Sequence, residues 1–186
     1  MQAAKLLMAQ GVTVVGGHPM AGSERSGVQA GRASLFAEAH YFLVNGNANE
    51  SQIKSLRNVL SAAGAYFEIL SATQHDQMVA QISHVPHVVA SALAISAAQG
   101  LKDQPHALQF SAGGFRDTTR IAAGDPTMWT AIMQSNTQAI LQALDADLST
   151  LQQARDLIAA NDRNGMYAWF EQAQHVRQSI DPPKEV

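Results

Sequence analysis

The chain has 186 residues, 46% of them hydrophobic, with a formal net charge of -3 and no cysteine. That is enough apolar material for one ordinary core, while 15% charged residues leave no basic footprint for nucleic acid or an anionic membrane. The absence of cysteine excludes disulfides and thiolate metal sites and fits a cytoplasmic protein; Gln10 and Gly11 interrupt the first apolar run too early for a secretory leader.

In chain order, AAKLLMAQ reads as a helix and VTVV (12–15) as a short buried strand. The glycine-rich GGHPMAGSERSG (16–27) follows, so His18 is expected just past a strand's C-terminal end, the edge where ligands bind in open α/β sheets. Pro19 stiffens that turn, although a turn with an incidental histidine fits the same residues. Gly17 and Gly22 have the spacing of a phosphate-cradling loop, but Ser23-Glu24 stand where Lys-Ser/Thr is required. No G-x-G-x-x-G occurs at all, so the dinucleotide fingerprint is absent from these 186 residues. HYFLV and YFEIL are further strands. Between them lies a helix with Asn49 as N-cap, apolar Ile53, Leu56, Val59 and Leu60, and Gly64 to close it.

From Thr73 onward strand signals stop. Residues 73–100 predict one long helix kinked by the internal Pro86, with an alanine-rich part too short to cross a bilayer. A short helix around FRDTTRIAAG comes next. Asp125-Pro126, an N-cap followed by a proline at the first helical position, opens a helix over DPTMWTAIMQSNTQAILQAL, and two more helical patterns fill the rest before DPPKEV. The pattern predicts a mainly α chain: a small α/β segment over 1–72 and an all-helical segment over 73–186. Helices this apolar often bury their surplus face against a second copy.

Three polar groups stand out in the helical half. At about 100° per residue, Ser83 and His87 return to within about 20° of Asp76, with His84 off to one side; such a stripe is a solvent seam or a site wall. His75-Asp76 with His84 and His87 also suggests metal ligands, but Pro86 disrupts the spacing a helical ligand pair needs, and no metal is assigned. Arg116 and Arg120 are helical neighbours, so Asp117, Glu24, Asp76 or a ligand carboxylate must hold them together. Trp129 is either core or a pocket wall.

GGHPMAGSERSG, HDQMVAQISHVPHVVASAL and GGFRDTTRIAAGDPTMW, in this order and separation, resemble the prephenate dehydrogenase family, which includes arogenate-using relatives. The resemblance covers nearly the whole chain. It implies a nucleotide-binding domain, of which 1–72 would be the C-terminal remnant, followed over 73–186 by an all-helical substrate-binding and dimerisation domain of the 6-phosphogluconate dehydrogenase C-terminal type. It implies oxidative decarboxylation of prephenate to 4-hydroxyphenylpyruvate with NAD or NADP in tyrosine biosynthesis, in a homodimer that tyrosine could inhibit. His18 would accept the proton of the substrate's ring hydroxyl. Arg120 would grip a substrate carboxylate. Ser23, Glu24, His87 and Trp129 would complete the pocket, with Gly113 approaching from the partner subunit and Asp76, His84 and Arg116 at polar positions around it. The cofactor fingerprint would then lie upstream of residue 1, and these 186 residues alone are expected not to reduce NAD or NADP. A non-catalytic dimeric module that senses an aromatic ligand, or an arogenate dehydrogenase, would keep the same pocket.

Overall fold

The computed structural model describes residues 2–22, 31–32, 34–104 and 106–180, and the side chains among these from residue 4 onward. Ser23 and Glu24 lie outside the described residues. Contacts group the residues up to Ile140 in one compact unit and those from Leu141 onward in another.

The first unit opens with helix α1 (Gln2–Ala9) and a three-stranded mixed sheet of β1 (Val15–Pro19), β2 (His40–Asn45) and β3 (Tyr66–Leu70). Helix α2 (Glu50–Leu60) joins β2 to β3, which pair in parallel, whereas β1 runs antiparallel to β2 with His18 opposite Phe42. Asn49 caps α2 in a full capping box with Gln52, and a final 3-10 turn ends at Gly64, whose φ of 68° is left-handed. Leu43, Ala48 and Ile53 form the buried core here, with Leu56, Leu60 and Phe67 packed around them. Val59 is 77% exposed; at i+6 from Ile53 it lies about 120° off that face.

The strand expected at 12–15 begins only at Val15, and His18 sits inside β1 rather than beyond it. Residues 12–14 are held instead by the Asn47 side chain, which accepts from Val14 N at 2.8 Å and donates to the Val12 carbonyl at 3.0 Å. The glycines that suggest a loop are there for close packing: a Cβ on Gly17 would stand 2.8 Å from the Tyr41 hydroxyl oxygen. Pro19 is tolerated because it ends an edge strand.

A continuous helix then runs from Ala72 to Gly100 as α3 (Ala72–Val79), one π turn (Ala80–His84) and α4 (Val85–Gly100), capped at its start by Ser71 and Gln74. By length and composition alone this helix is apolar enough to cross a membrane. Within the fold it buries Val79, Ala80, Val85 and Ala90, α3 packs on β2, and α4 packs on α5 (Gly113–Thr119) and the following 3-10 turn, Arg120–Ala123.

Pro86 lies just past the π turn. Val85 N–H reaches back five residues to the Ala80 carbonyl, so the helix meets the proline's missing donor and ring bulk by widening one turn. Helix α6 (Pro126–Ser135) starts as the Asp125-Pro126 pair predicts, with Asp125 accepting from Met128 N at 2.8 Å. It does not run on through residue 144. The chain leaves helical geometry at Asn136 (φ -129°) before α7 (Thr137–Ala159), because the Asn136 side chain is drawn back to α3. Helix α8 (Arg163–Ile180) follows a turn in which Asn161 has a φ of 49°.

Candidate active site

A cavity of about 600 Å³ lies in the first unit, where β1, β2, α1, α3, the π turn and α6 converge. His18, His75, Asp76, Ser83, His84 and Asn136 line it. Nδ1 of His18 is 2.8 Å from Nε2 of His75, and Nδ1 of His75 is 2.9 Å from Oδ1 of Asp76. Asn136 donates to the Asp76 backbone carbonyl at 2.7 Å, and its amide nitrogen is 3.3 Å from Nδ1 of His84. The Phe42 ring stands edge-on to both His18 and His75.

This grouping corrects the stripe predicted from ideal helical spacing. Asp76, Ser83 and His84 line the cavity, whereas His87 does not. The π turn supplies the reason: one residue inserted into a turn sets everything after it back by about 100°. His87, about 20° from Asp76 on an ideal helix, is carried to about 80° on the other side, away from the cavity.

His87 has its own surroundings. It is 6% exposed, stacks on Trp129, and its Nδ1 is buried without a hydrogen-bond partner. Both rings border an open groove of about 710 Å³ beside Gly124. A Cβ on Gly124 would meet Trp129 Nε1 at 2.5 Å and His87 Cε1 at 3.1 Å, so glycine is what lets the indole lie there.

Electrostatically the cavity favours neutral imidazole. Burial, followed by the neighbouring His75, holds His18 below its ordinary value. His84 is lowered by burial first, then by His18 and His75, against a raising influence from Asp76. Burial alone lowers His87. A neutral imidazole has a ring nitrogen free to take up a proton.

The short helix α5 and the turn after it do not reach this cavity within the described chain. Gly113, Arg116 and Arg120 are exposed, and none lines it. No ion pair joins Arg116 or Arg120 to Asp117 or Asp76 among the described residues, and Glu24, the other candidate partner, lies outside them. Two cavity residues have contacts that spacing alone does not reveal: His75, which in sequence suggests a metal ligand beside Asp76, meets His18, and Asn136 meets the Asp76 carbonyl and His84. Asn136 carried no signal, because the apolar pattern runs straight through it.

The described residues do not fit the phosphates of a dinucleotide. At both strand-to-helix junctions, β2 to α2 and β3 to α3, the helix N-terminus is closed by its own capping box, and Glu50 adds a carboxylate to the first turn of α2. A pyrophosphate needs those backbone donors free.

A small mixed sheet feeds a run of helices, and a cavity lined by histidines lies where they meet. Residues 71–172 match the family model of the prephenate dehydrogenase dimerization domain, and residues 1–69 match that of the prephenate dehydrogenase nucleotide-binding domain. The chain belongs to the prephenate dehydrogenase family. It is 38% identical over 170 residues to the prephenate dehydrogenase of Lactococcus lactis subsp. cremoris, covering 91% of this chain and 46% of that protein. The crystal structure of Synechocystis arogenate dehydrogenase superposes with a TM-score of 0.81 at 32% identity, over 89% of this chain and 61% of that one. The Aquifex aeolicus prephenate dehydrogenase in complex with hydroxyphenyl propionate and NAD+ superposes with a TM-score of 0.79 at 28% identity, over 90% and 59%. The chain spans about half the length of the curated relatives it matches.

Proposed function

We propose that these residues form the proton-accepting, substrate-binding and subunit-pairing part of a dehydrogenase that oxidises and decarboxylates prephenate or arogenate. The observation that carries this reading is the neutral His18 imidazole on the wall of the 600 Å³ cavity, backed by His75 and Asp76. Family membership supplies the reaction class.

In that chemistry the ring carbon bearing the hydroxyl gives up hydride to a nicotinamide dinucleotide, NAD or NADP. The hydroxyl proton leaves, and the ring carboxylate departs as carbon dioxide to make the ring aromatic. Aromatisation supplies the driving force, so the protein's work is to orient the substrate and receive one proton. His18 receives it. Ser83 and His84 face the same cavity and offer hydrogen bonds to the substrate's polar groups, while Arg120 supplies a bidentate grip for a carboxylate. His87 and Trp129 make a flat aromatic wall beside an unused ring nitrogen. Gly113, Arg116 and Arg120 stand away from the cavity of their own chain, which favours their reaching the site of a second copy. Pairing of two chains would also cover the apolar residues left outside, such as Leu93, Ile95 and Phe110.

The test is a fusion that places the amino-terminal half of the Lactococcus lactis relative ahead of residue 1, assayed with prephenate and with arogenate against NAD and NADP. Reduced cofactor with release of carbon dioxide from one of the two substrates is the expected result. A folded fusion that binds dinucleotide yet oxidises neither substrate would overturn the reading.

A further inference from the structure

With both imidazoles neutral, the hydrogen bonds behind His18 have one consistent order. A carboxylate oxygen can only accept, so at the 2.9 Å contact Nδ1 of His75 carries the hydrogen and donates it to Asp76 Oδ1. Neutral imidazole has a single N–H, which leaves Nε2 of His75 as an acceptor. That nitrogen lies 2.8 Å from Nδ1 of His18. Two lone pairs cannot face each other at that distance, so Nδ1 of His18 is the donor and its Nε2 is left unprotonated.

We infer that His75, itself held by Asp76, is a positioning residue that fixes His18 in the tautomer whose Nε2 accepts a proton, and that shares the charge once the proton arrives. The inference rests on the reading of His18 as proton acceptor. In the first step the substrate O–H bond breaks and an N–H bond forms at His18 Nε2. In the second, the hydrogen on His18 Nδ1 passes to His75 Nε2, so that His18 is again neutral and His75 is the cation. One positive charge is conserved, and no electron leaves the hydrogen-bonded chain. The charge finishes beside the Asp76 carboxylate, where a charge-assisted hydrogen bond is strongest. This offsets the burial that makes a lone protonated His18 unfavourable.

Two further features hold the arrangement in place. The Asn136 amide bonds the Asp76 carbonyl from α6, tying the start of α3 to a second element. Phe42, opposite His18 in the ladder, is edge-on to both imidazoles and limits their rotation. The logic is that of an aspartate orienting a catalytic histidine, with a second imidazole inserted between them.

The experiment is long-range ¹H–¹⁵N correlation of the histidine rings in the ¹⁵N-labelled 186-residue chain at mildly alkaline pH. It should show His18 and His75 both protonated on Nδ1. In His75→Ala, His18 should drift toward the tautomer mixture of a free imidazole, and Asp76→Ala should loosen both rings. His18 protonated on Nε2 in the unsubstituted chain overturns the inference without any variant, so a His75→Ala chain that fails to fold cannot shelter it. An unchanged His18 tautomer in folded His75→Ala overturns it as well. The proton-acceptor reading fails separately, through unimpaired turnover of His18→Asn in the fusion, which the ring spectra do not measure.

Discussion

The indole of Trp129 lies flat on the imidazole of His87, their ring centroids 3.5 Å apart and their planes 15° from parallel. Gly124 makes room for this pair, since a Cβ there would stand 2.5 Å from the indole nitrogen. Gly124→Ala should therefore push the two rings apart or displace the Arg120–Ala123 turn that precedes it. The expected cost is about 1–3 kcal/mol, the usual range for overpacking a filled site. Denaturant unfolding followed by tryptophan emission would record both the loss of stability and a changed Trp129 environment. Unchanged stability and emission would show that the turn gives way freely.

Arg120 should act on binding. It is exposed and pairs with no acidic residue among the described ones, so removing it frees no buried partner in the unliganded chain. In a closed pocket, losing one half of an arginine–carboxylate pair costs about 2–5 kcal/mol. Arg120→Ala should raise KM of the fusion far more than it lowers kcat, and Arg120→Lys should recover part of the loss, a lysine having no planar fork. An unchanged KM would return Arg120 to the status of a surface charge.

The positions of these residues were legible in the sequence to different degrees. Helix α2 could be read closely, because its cap, apolar face and closing glycine are all local signals; Asn49 and Gly64 do what their residue types predict. Asp125-Pro126 is legible for the same reason. The β1 strand was misplaced because glycines, which read as loop, serve here to let Tyr41 lie across the strand. The active-site face of the long helix was misread by one residue's rotation. A π turn leaves no trace in apolar periodicity, and it turns His87 away from the cavity that Asp76, Ser83 and His84 line. The link between His18 and His75 spans 57 positions and depends on the sheet that brings β1 beside α3, which no local pattern encodes.

Three partly buried histidines make stability depend on pH in a known direction. His18, His84 and His87 are all lowered from an ordinary value of 6.5, so the fold favours their neutral forms. Above that value both folded and unfolded chains hold these rings neutral, and no penalty arises. As pH falls below it, the unfolded chain takes up protons that the folded chain resists, and stability declines until the folded rings also titrate. The denaturation midpoint of the 186-residue chain should thus be lower at about pH 5.5 than at about pH 7.5. Replacing His87 by Gln should shrink the difference. A midpoint that rises on acidification would contradict the burial of these rings.

Multi-angle light scattering of the same chain should give the mass of a dimer. Phe110 is 83% exposed, Leu93 is 38% exposed, and Ile95 is 58% exposed, in a segment that matches the family's dimerization domain. An apolar surface of that kind is covered in a stable assembly. A monodisperse monomer would contradict the pairing of two chains through this surface.

Steady-state kinetics of His18→Asn in the fusion tests most directly whether His18 Nε2 accepts the substrate's hydroxyl proton. Asparagine is close in size and hydrogen-bonds, but it cannot take up a proton at neutral pH. The prediction is a kcat lower by about two to four powers of ten, with KM within a few-fold of the unsubstituted fusion and unfolding unchanged. A His18→Asn enzyme that turns over at near-normal rate would contradict it.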